Sequence, residues 1–380
     1  MTECKLKVCH ITSMHAWNDD RIFQRACIGI GNKGHDIVLI ATEPPSNEEK
    51  GVQIIPLKKR TGIKRRIFSS FEAYKKAKKL DSDIYQFHDP DLLPWMWLLS
   101  RKGKRVIYDV HENYSERLQN SSLPAFIKVL ALKTWIEFER FCVSRFSGVI
   151  TTTNSMQQLF NGISTPKIAV SNTPYIKVLE GINLDTEKQP FTIYTSGTHS
   201  NKRNCMQTVE ALPLILKEIP QAQMIFVGRY SPASFEQELN DRAKELGVSD
   251  HLETYGMQPW KENFKRTAFM EVGCVFYADN PNNRVTIPNR LFEYMYAHVA
   301  VIGESFPEIK RVIEKAACGL TVNSADSSEI ANGIIALFKD QKALKRKQKS
   351  ARAAIESEFA FEIELEKMID FYLKIATSNS

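Results

Sequence analysis

The sequence lacks a C-x-x-C pair, a secretory leader and any run near the ~20 apolar residues that a membrane-spanning helix needs. Each absence removes a class of protein. Seven cysteines, Cys4, Cys9, Cys27, Cys142, Cys205, Cys274 and Cys318, are scattered, odd in number and set mostly inside apolar runs. That pattern fits buried thiols in a reducing compartment, not a disulfide framework or a zinc site. Residues 1–7 lead directly into an alternating apolar run, so the cytoplasm is the expected location. No G-x-x-x-x-G-K-[ST] is present and no G-x-G-x-x-G follows the first strand, which argues against a P-loop enzyme and a dinucleotide-binding one. H-E-x-x-H and G-x-S-x-G are missing too, which removes a zinc peptidase and an α/β-hydrolase.

What is present is alternation. At 380 residues, 43% apolar and 25% charged, the chain suits two α/β domains. Strand-like runs at 6–12, 36–41, 52–57, 83–87, 105–110, 148–152 and 167–171 are separated by helix-length amphipathic stretches such as 20–32 and 71–80. The pattern lapses into polar, turn-prone sequence over 173–190, a linker. It restarts with strands at 191–195, 223–227, 252–255, 272–277, 300–303 and 319–322, with helices at 206–218, 234–246 and 288–297 between them. Apolar strands alternating with helices imply parallel sheets covered on both faces. The reading is therefore an α/β chain of two doubly wound, Rossmann-like domains, residues 1–172 and 191–357. Such sheets bind ligands beyond the carboxyl ends of their strands, so a cleft between the two domains is expected. Final helices at 342–358 and 362–375 fall outside the strand-helix alternation.

Charge is unevenly placed. Between Lys58 and Lys79 ten Lys/Arg residues accompany one acid, Glu72. Such a stretch suits an anionic lipid surface, nucleic acid or a polyanionic substrate, and equally a solvated helix face. No recognisable nucleic-acid-binding motif accompanies it, so nucleic acid is not an expected partner.

Polar clusters gather at strand ends. The first strand leads to His15, Asn18, Asp19, Asp20 and Arg21; others end at His88-Asp89-Pro90-Asp91 and Asp109-Val110-His111-Glu112. Each alone could be turn or cap chemistry; three together point to a site. In the second half, Tyr194 to Thr198, with Gly197, runs into Lys202 and Arg203, cations suited to phosphate. Pro288 suits the first position of a helix on which Leu291 and Met295 share one face and Asn289 and Glu293 another. Its start offers unpaired N–H groups to a diphosphate, and a carboxylate one turn along could accept from vicinal ribose hydroxyls. By spacing alone, an amphipathic surface helix with an ordinary Glu is the stronger reading.

As a set these residues resemble a known family. Pro288-Asn289-Arg290-Leu291-Phe292-Glu293-Tyr294-Met295, with Val299 to Ile302 and Phe306-Pro307-Glu308, resembles the donor-site helix of glycosyltransferase family four, retaining enzymes of the GT-B fold. Cys318 to Val322, Val227-Gly228-Arg229 and Tyr255-Gly256 continue the likeness, and Asn18 to Ile22, His88 to Pro94 and Tyr108 to Glu112 resemble one bacterial branch.

The resemblance implies a UDP- or GDP-sugar donor held by the second domain. Glu293 would bind ribose and Arg203 with Lys202 the diphosphate. Gly256 and Met257 would meet the base, and Thr286 to Asn289 the sugar and phosphate. Leu291 would offer a backbone N–H, with Gly197 and Gly228 in the same donor site. His111 would lie near the reacting sugar, with Asp19 and Arg21 also at the catalytic site, and His15, His88, Asp89, Asp109 and Glu112 on the acceptor side. It also implies a terminal helix, 358–380, returning to the first domain, no cofactor and no dedicated metal. Val285 stands eight residues before Glu293, where the family pattern has another acid, which removes the basis for a carboxylate contact to the sugar there. The implied activity is retaining transfer of a hexose to a glycan or lipid-linked acceptor in cell-envelope polysaccharide synthesis. Lys58 to Lys79 would touch the inner face of the plasma membrane. A sugar-nucleotide epimerase on the same fold is the alternative.

Overall fold

A computed structural model describes residues 5–378 apart from 45, 120–123, 180–181, 183 and 185. Cys4 lies outside the described residues; the other six cysteines are free and buried. The chain divides into two compact units, Met1–Asn172 with Phe361–Ser380, and Thr173–Ala360.

In unit 1 the strands are β1 (Lys7–Ala16), β2 (Asp36–Thr42), β3 (Glu48–Glu49), β4 (Val52–Leu57), β5 (Ile84–Phe87), β6 (Val106–Val110), β7 (Gly148–Thr151) and β8 (Lys167–Ala169). They form one sheet in the order β3-β4-β2-β1-β5-β6-β7-β8. Every pairing among them is parallel except β3 with β4. Residues of the central strands such as Val8, Ile11, Leu39, Phe87 and Ile107 are buried, as expected when helices cover both faces. β3 is invisible to pattern reading, being two glutamates on the sheet edge. The chain steps outward from β1 to β2 and β4, then returns to place β5 beside β1, with Ile11 opposite Phe87. That reversal makes the carboxyl ends of β1 and β5 the place where a doubly wound sheet leaves a crevice.

The last helix, Phe361–Thr377, closes this unit. Its Leu365 lies against Gly29 and its Phe371 and Ile375 against Gly148, where a side chain on either glycine would collide with them. Glu364 accepts from the Ser171 amide at 2.8 Å.

Unit 2 holds β9 (Thr192–His199), β10 (Gln223–Tyr230), β11 (Leu252–Tyr255), β12 (Val272–Val275), β13 (Ala300–Glu304) and β14 (Gly319–Val322). Their order, β11-β10-β9-β12-β13-β14, again reverses beside the first strand, between β9 and β12. β9 and β10 run about a turn's length past the expected ends because Gly197 and Gly228 pair across the ladder. A Cβ on Gly228 would lie 1.9 Å from the Gly197 carbonyl oxygen, so only glycine lets these strands continue.

The polar segment 173–190, expected to be a linker, belongs to unit 2. Leu184 is buried in its core, and Gln189 N donates to Phe269 O at 2.7 Å. Lys188 Nζ donates to Ala268 O at 2.7 Å and Ala297 O at 2.9 Å, the C-caps of helices Trp260–Thr267 and Asn289–Tyr296. A segment with few apolar residues is thus fastened through main-chain carbonyls that helix ends leave unsatisfied.

Candidate functional site

In unit 1 the three polar clusters converge at the β1–β5 reversal. Asp89, just past β5, is buried; its Oδ2 accepts from the amides of Ser13 (2.6 Å) and Met14 (3.1 Å) and from Thr12 Oγ1 (2.8 Å), while Oδ1 meets His15 Nδ1 at 2.8 Å. Burial alone would raise its pKa, but these donors outweigh it and hold the carboxyl below the usual range. Burial lowers the pKa of His15, and Asp89 more than reverses this.

Behind Asp89 runs a buried chain of rings. His88 Nδ1 lies 3.1 Å from Asp109 Oδ2, and a carboxylate only accepts, so Nδ1 carries the hydrogen. His88 Nε2 is then the acceptor for His10 Nδ1 at 3.0 Å, and His10 Nε2 faces Tyr372 OH at 3.4 Å. Burial keeps His10 and His88 below the ordinary histidine pKa, hence neutral near pH 7. His111 Nε2 lies 3.1 Å from His88 Nδ1 and 3.5 Å from the same Asp109 oxygen, which places its ring at the mouth of this chain. His15, His88, Asp89, His111, Glu112 and Tyr114 line a cavity of about 330 Å³ with Met14, Pro90 and Tyr108.

His88, Asp109 and His111 offer three metal-capable atoms within 4.8 Å of one another. Asp109 is, however, already paired with Arg21, at 2.8 and 3.3 Å, and with Gln86 Nε2 at 3.0 Å. A guanidinium on the same carboxylate opposes a dication there, and the hydrogen-bonded arrangement accounts for all three residues.

Three expectations change here. Arg21 is buried, and its Nη1 also donates to Val170 O (3.0 Å) and Asn172 Oδ1, so it holds Asp109 in place. Asp19 Oδ1 caps the helix that starts at Asp20, accepting from the amides of Arg21 (3.0 Å) and Ile22 (2.9 Å). Asp109 lies under the cavity and orients His88 and His111, not on an acceptor surface.

In unit 2 the β9–β12 reversal gathers the second constellation. After β9 the chain turns over Asn201–Arg203, and Asn204, at φ 47°, opens helix Cys205–Glu210. Lys202 is exposed, and its carbonyl accepts from Ala278 N at 3.0 Å, tying this turn to the end of β12. Arg203 Nη1 donates to Tyr277 OH at 2.6 Å. Arg290, buried, donates to Ser196 O (3.0 Å), within β9, and to Phe276 O (2.9 Å), just past β12. Both guanidiniums lie against the Tyr277 ring, at 4.5 and 5.0 Å.

Helix Asn289–Tyr296 begins one residue later than expected, with Pro288 as its cap. Leu291 and Met295 are buried and Asn289 is exposed. Leu291 N donates to Pro288 O at 3.1 Å, a bond within the first turn of the helix. The Asn289 and Arg290 amides, at the helix start, have no carbonyl one turn back. Glu293 Oε1 accepts from Trp260 Nε1 at 3.2 Å. Met257 and Trp260 are exposed beyond β11, next to Gly256. Thr286 is half-buried in extended backbone before the helix. Gly197 and Gly228 lie inside β9 and β10, not in the turn. A neighbouring cavity of about 340 Å³ is lined by Asn204, Tyr277, Arg284, Glu304, Ser305 and Asn323 among others.

Comparison with known proteins agrees with this geometry. The family described as "Glycosyltransferase Family 4" matches residues 21–171, and "Glycosyl transferases group 1" matches residues 182–354. The chain belongs to glycosyltransferase family four. Similar solved structures include HepE of Anabaena in complex with UDP, at 14% identity and a TM-score of 0.75, covering 97% of this chain and 100% of that one. A glycosyltransferase from Rickettsia africae, at 12% identity, has a TM-score of 0.74 over 99% of this chain and 100% of that chain. Sucrose-phosphate synthase from Thermosynechococcus elongatus, at 14%, has a TM-score of 0.71 over 98% and 99%. These likenesses establish the GT-B fold. A search of curated protein sequences found no match.

Three residues of this glycosyltransferase escape pattern reading. Trp260 follows Pro259 at a helix start and reads as surface apolar; only the fold sets it beside Glu293. Tyr277 looks like the last residue of a strand, and Arg290 like a polar residue on a helix face. No spacing rule places a buried arginine between the carbonyls of two strands.

Proposed function

We propose that this glycosyltransferase transfers a hexose from a nucleoside-diphosphate sugar to a glycan or lipid-linked acceptor with retention of configuration. Arg203 beside the start of helix Asn289–Tyr296, with Glu293 and Trp260 one turn further on, carries the reading. Departure of a nucleoside diphosphate builds negative charge on its phosphates, and preorganised cations and helix-end amides stabilise that charge. Arg203 and Lys202 take the diphosphate with the Asn289 and Arg290 amides, Glu293 the ribose, and Met257 and Trp260 the base. Tyr277, stacked against both guanidiniums and accepting from Arg203, holds Arg203 in place. In unit 1, His111 and the cavity beside it serve the sugar and acceptor. No metal is assigned a role. HepE, solved with UDP and with UDP-glucose, supports uridine over guanosine as the nucleoside. Envelope polysaccharide synthesis at the inner face of the plasma membrane is the setting that a lipid-linked acceptor supports.

A thermal-shift series with UDP, GDP, ADP and their sugars tests the donor, because a ligand bound only by the folded state raises its stability. UDP should give the largest shift, and Glu293→Ala should weaken it by about 10–100-fold in Kd, as expected for lost charge-assisted hydrogen bonds. No response to any nucleotide, or an unchanged response in Glu293→Ala, would overturn the assignment. Epimerisation is favoured by one observation, the histidines and Glu112 around the unit 1 cavity, which could supply a general base. Incubating donor without acceptor separates the two: an epimerised nucleotide sugar means isomerase, and acceptor-dependent release of UDP means transferase.

A further inference from the structure

Helix Ala125–Val143 of unit 1 carries an apolar face that is exposed among the described residues. Phe126, Val129 and Leu130, at i, i+3 and i+4, are 77%, 69% and 68% exposed. A folded chain rarely leaves consecutive turns of large apolar side chains in water without a use for them. A second exposed apolar pair, Ile67 and Phe68, each 53% exposed, lies in the basic stretch. The two segments are neighbours: Arg66 Nη1 donates to Tyr114 OH at 3.1 Å, and the Tyr114 ring packs at 4.7 Å between centroids on Trp135, on the inner side of the long helix behind Phe126 and Leu130.

Exposed cations accompany both segments: Lys64 three residues before Ile67, and Lys133 three after Leu130. The only acid of the 58–79 stretch, Glu72, is engaged by Arg60 at 2.6 Å and Lys76 at 3.1 Å and not by Lys64, and the long helix adds one exposed acid to this face, Glu137, four residues after Lys133.

We infer that these two segments form a docking surface for an anionic lipid bilayer, with Phe126, Val129, Leu130, Ile67 and Phe68 entering the headgroup boundary and Lys64 and Lys133 meeting the phosphates. Apolar side chains flanked by lysines and arginines are the composition that holds a helix in the plane of such an interface. A second copy of the chain fits less well, because a two-fold contact would bring the same cations together. Among the described residues no helix is long and apolar enough to cross a membrane, so the surface attaches without spanning. Tyr114, which contacts both segments, also lines the cavity of His111 and Glu112. Resting on the transferase reading, this makes the acceptor class a lipid-linked one, presented to that cavity from the bilayer surface.

Cosedimentation of the full chain tests the surface, using vesicles of phosphatidylcholine alone or mixed one to one with phosphatidylglycerol. The protein should pellet with the mixed vesicles and be released as salt rises. The pair Phe126→Ser with Leu130→Ser should lower partitioning on the order of tenfold, and Lys64→Glu with Lys133→Glu by at least about tenfold on mixed vesicles. The melting temperature and UDP response of both variants should match the parent, which confirms folding and keeps the donor reading separate. Equal pelleting of parent and serine variant, or no pelleting at low salt, would overturn the proposal. So would a parent dimer that the serine variant converts to monomer. Vesicle binding by a protein that binds no nucleotide would support the surface while sinking the transferase reading.

Discussion

At the scale of single residues, Asp89 shows how much of a site is support. Its carboxylate gathers two amides, a hydroxyl and His15, fixing the loop after β1 against the end of β5. A pKa held below the unfolded value near 3.9 means the folded state binds its proton less readily. The stability it contributes is therefore complete above about pH 4 and is lost as pH falls through that region. Asp89→Asn should cost about 2–3 kcal/mol at neutral pH, and urea unfolding should show the gap between variant and parent closing in acid. A gap that is unchanged in acid would mean that charge is not what Asp89 supplies. Arg21 and Asp109 looked like cleft chemistry in the sequence because charged residues at strand ends do, and the structure buries them against each other.

Elements explain why the sequence was readable to this extent. Thirteen of the strands in the two sheets coincide with runs read from the sequence, since buried parallel strands must be apolar and their helices amphipathic. What escaped was fixed by contacts between distant segments. Gly197 and Gly228 look like turn residues until their strands pair. Residues 173–190 read as a linker because composition is all that sequence offers there, whereas Lys188 caps two helices at once. One of them is Asn289–Tyr296, so this lysine steadies the element that holds Glu293. Lys188→Ala should destabilise unit 2 by about 1–3 kcal/mol, seen as a loss of about 2–4 °C in melting temperature per kcal/mol. Lys188→Arg, which keeps donors and charge, should recover part of the loss. A melting temperature equal to the parent's would show that the two carbonyls find water without cost.

For the whole molecule, the order in which the chain visits its units matters most. Unit 2 is continuous from Thr173 to Ala360, but unit 1 is completed only by Phe361–Ser380. The last helix buries Phe361, Leu365, Met368, Ile369, Phe371, Tyr372 and Ile375, and Tyr372 OH reaches Gln86 and His10 beneath the cavity. At about 1.5–3 kcal/mol per buried apolar side chain, removing seven of them forfeits on the order of 10–20 kcal/mol. That rivals the ~5–15 kcal/mol that keeps an ordinary domain folded. Deleting residues 361–380 should therefore unfold unit 1 while leaving unit 2 intact. Calorimetry of the truncated chain should retain one cooperative transition, and UDP should still raise its temperature, because every residue assigned to the donor lies between Gly197 and Glu293. A truncated chain with the parent's full unfolding enthalpy would show that the helix only decorates unit 1. Loss of both transitions would show that the units fold as one. Between those outcomes, Tyr372→Phe isolates the buried hydroxyl: it removes the contacts to Gln86 and His10 but keeps the ring, so unit 1 should stay folded with a cost of about 1 kcal/mol.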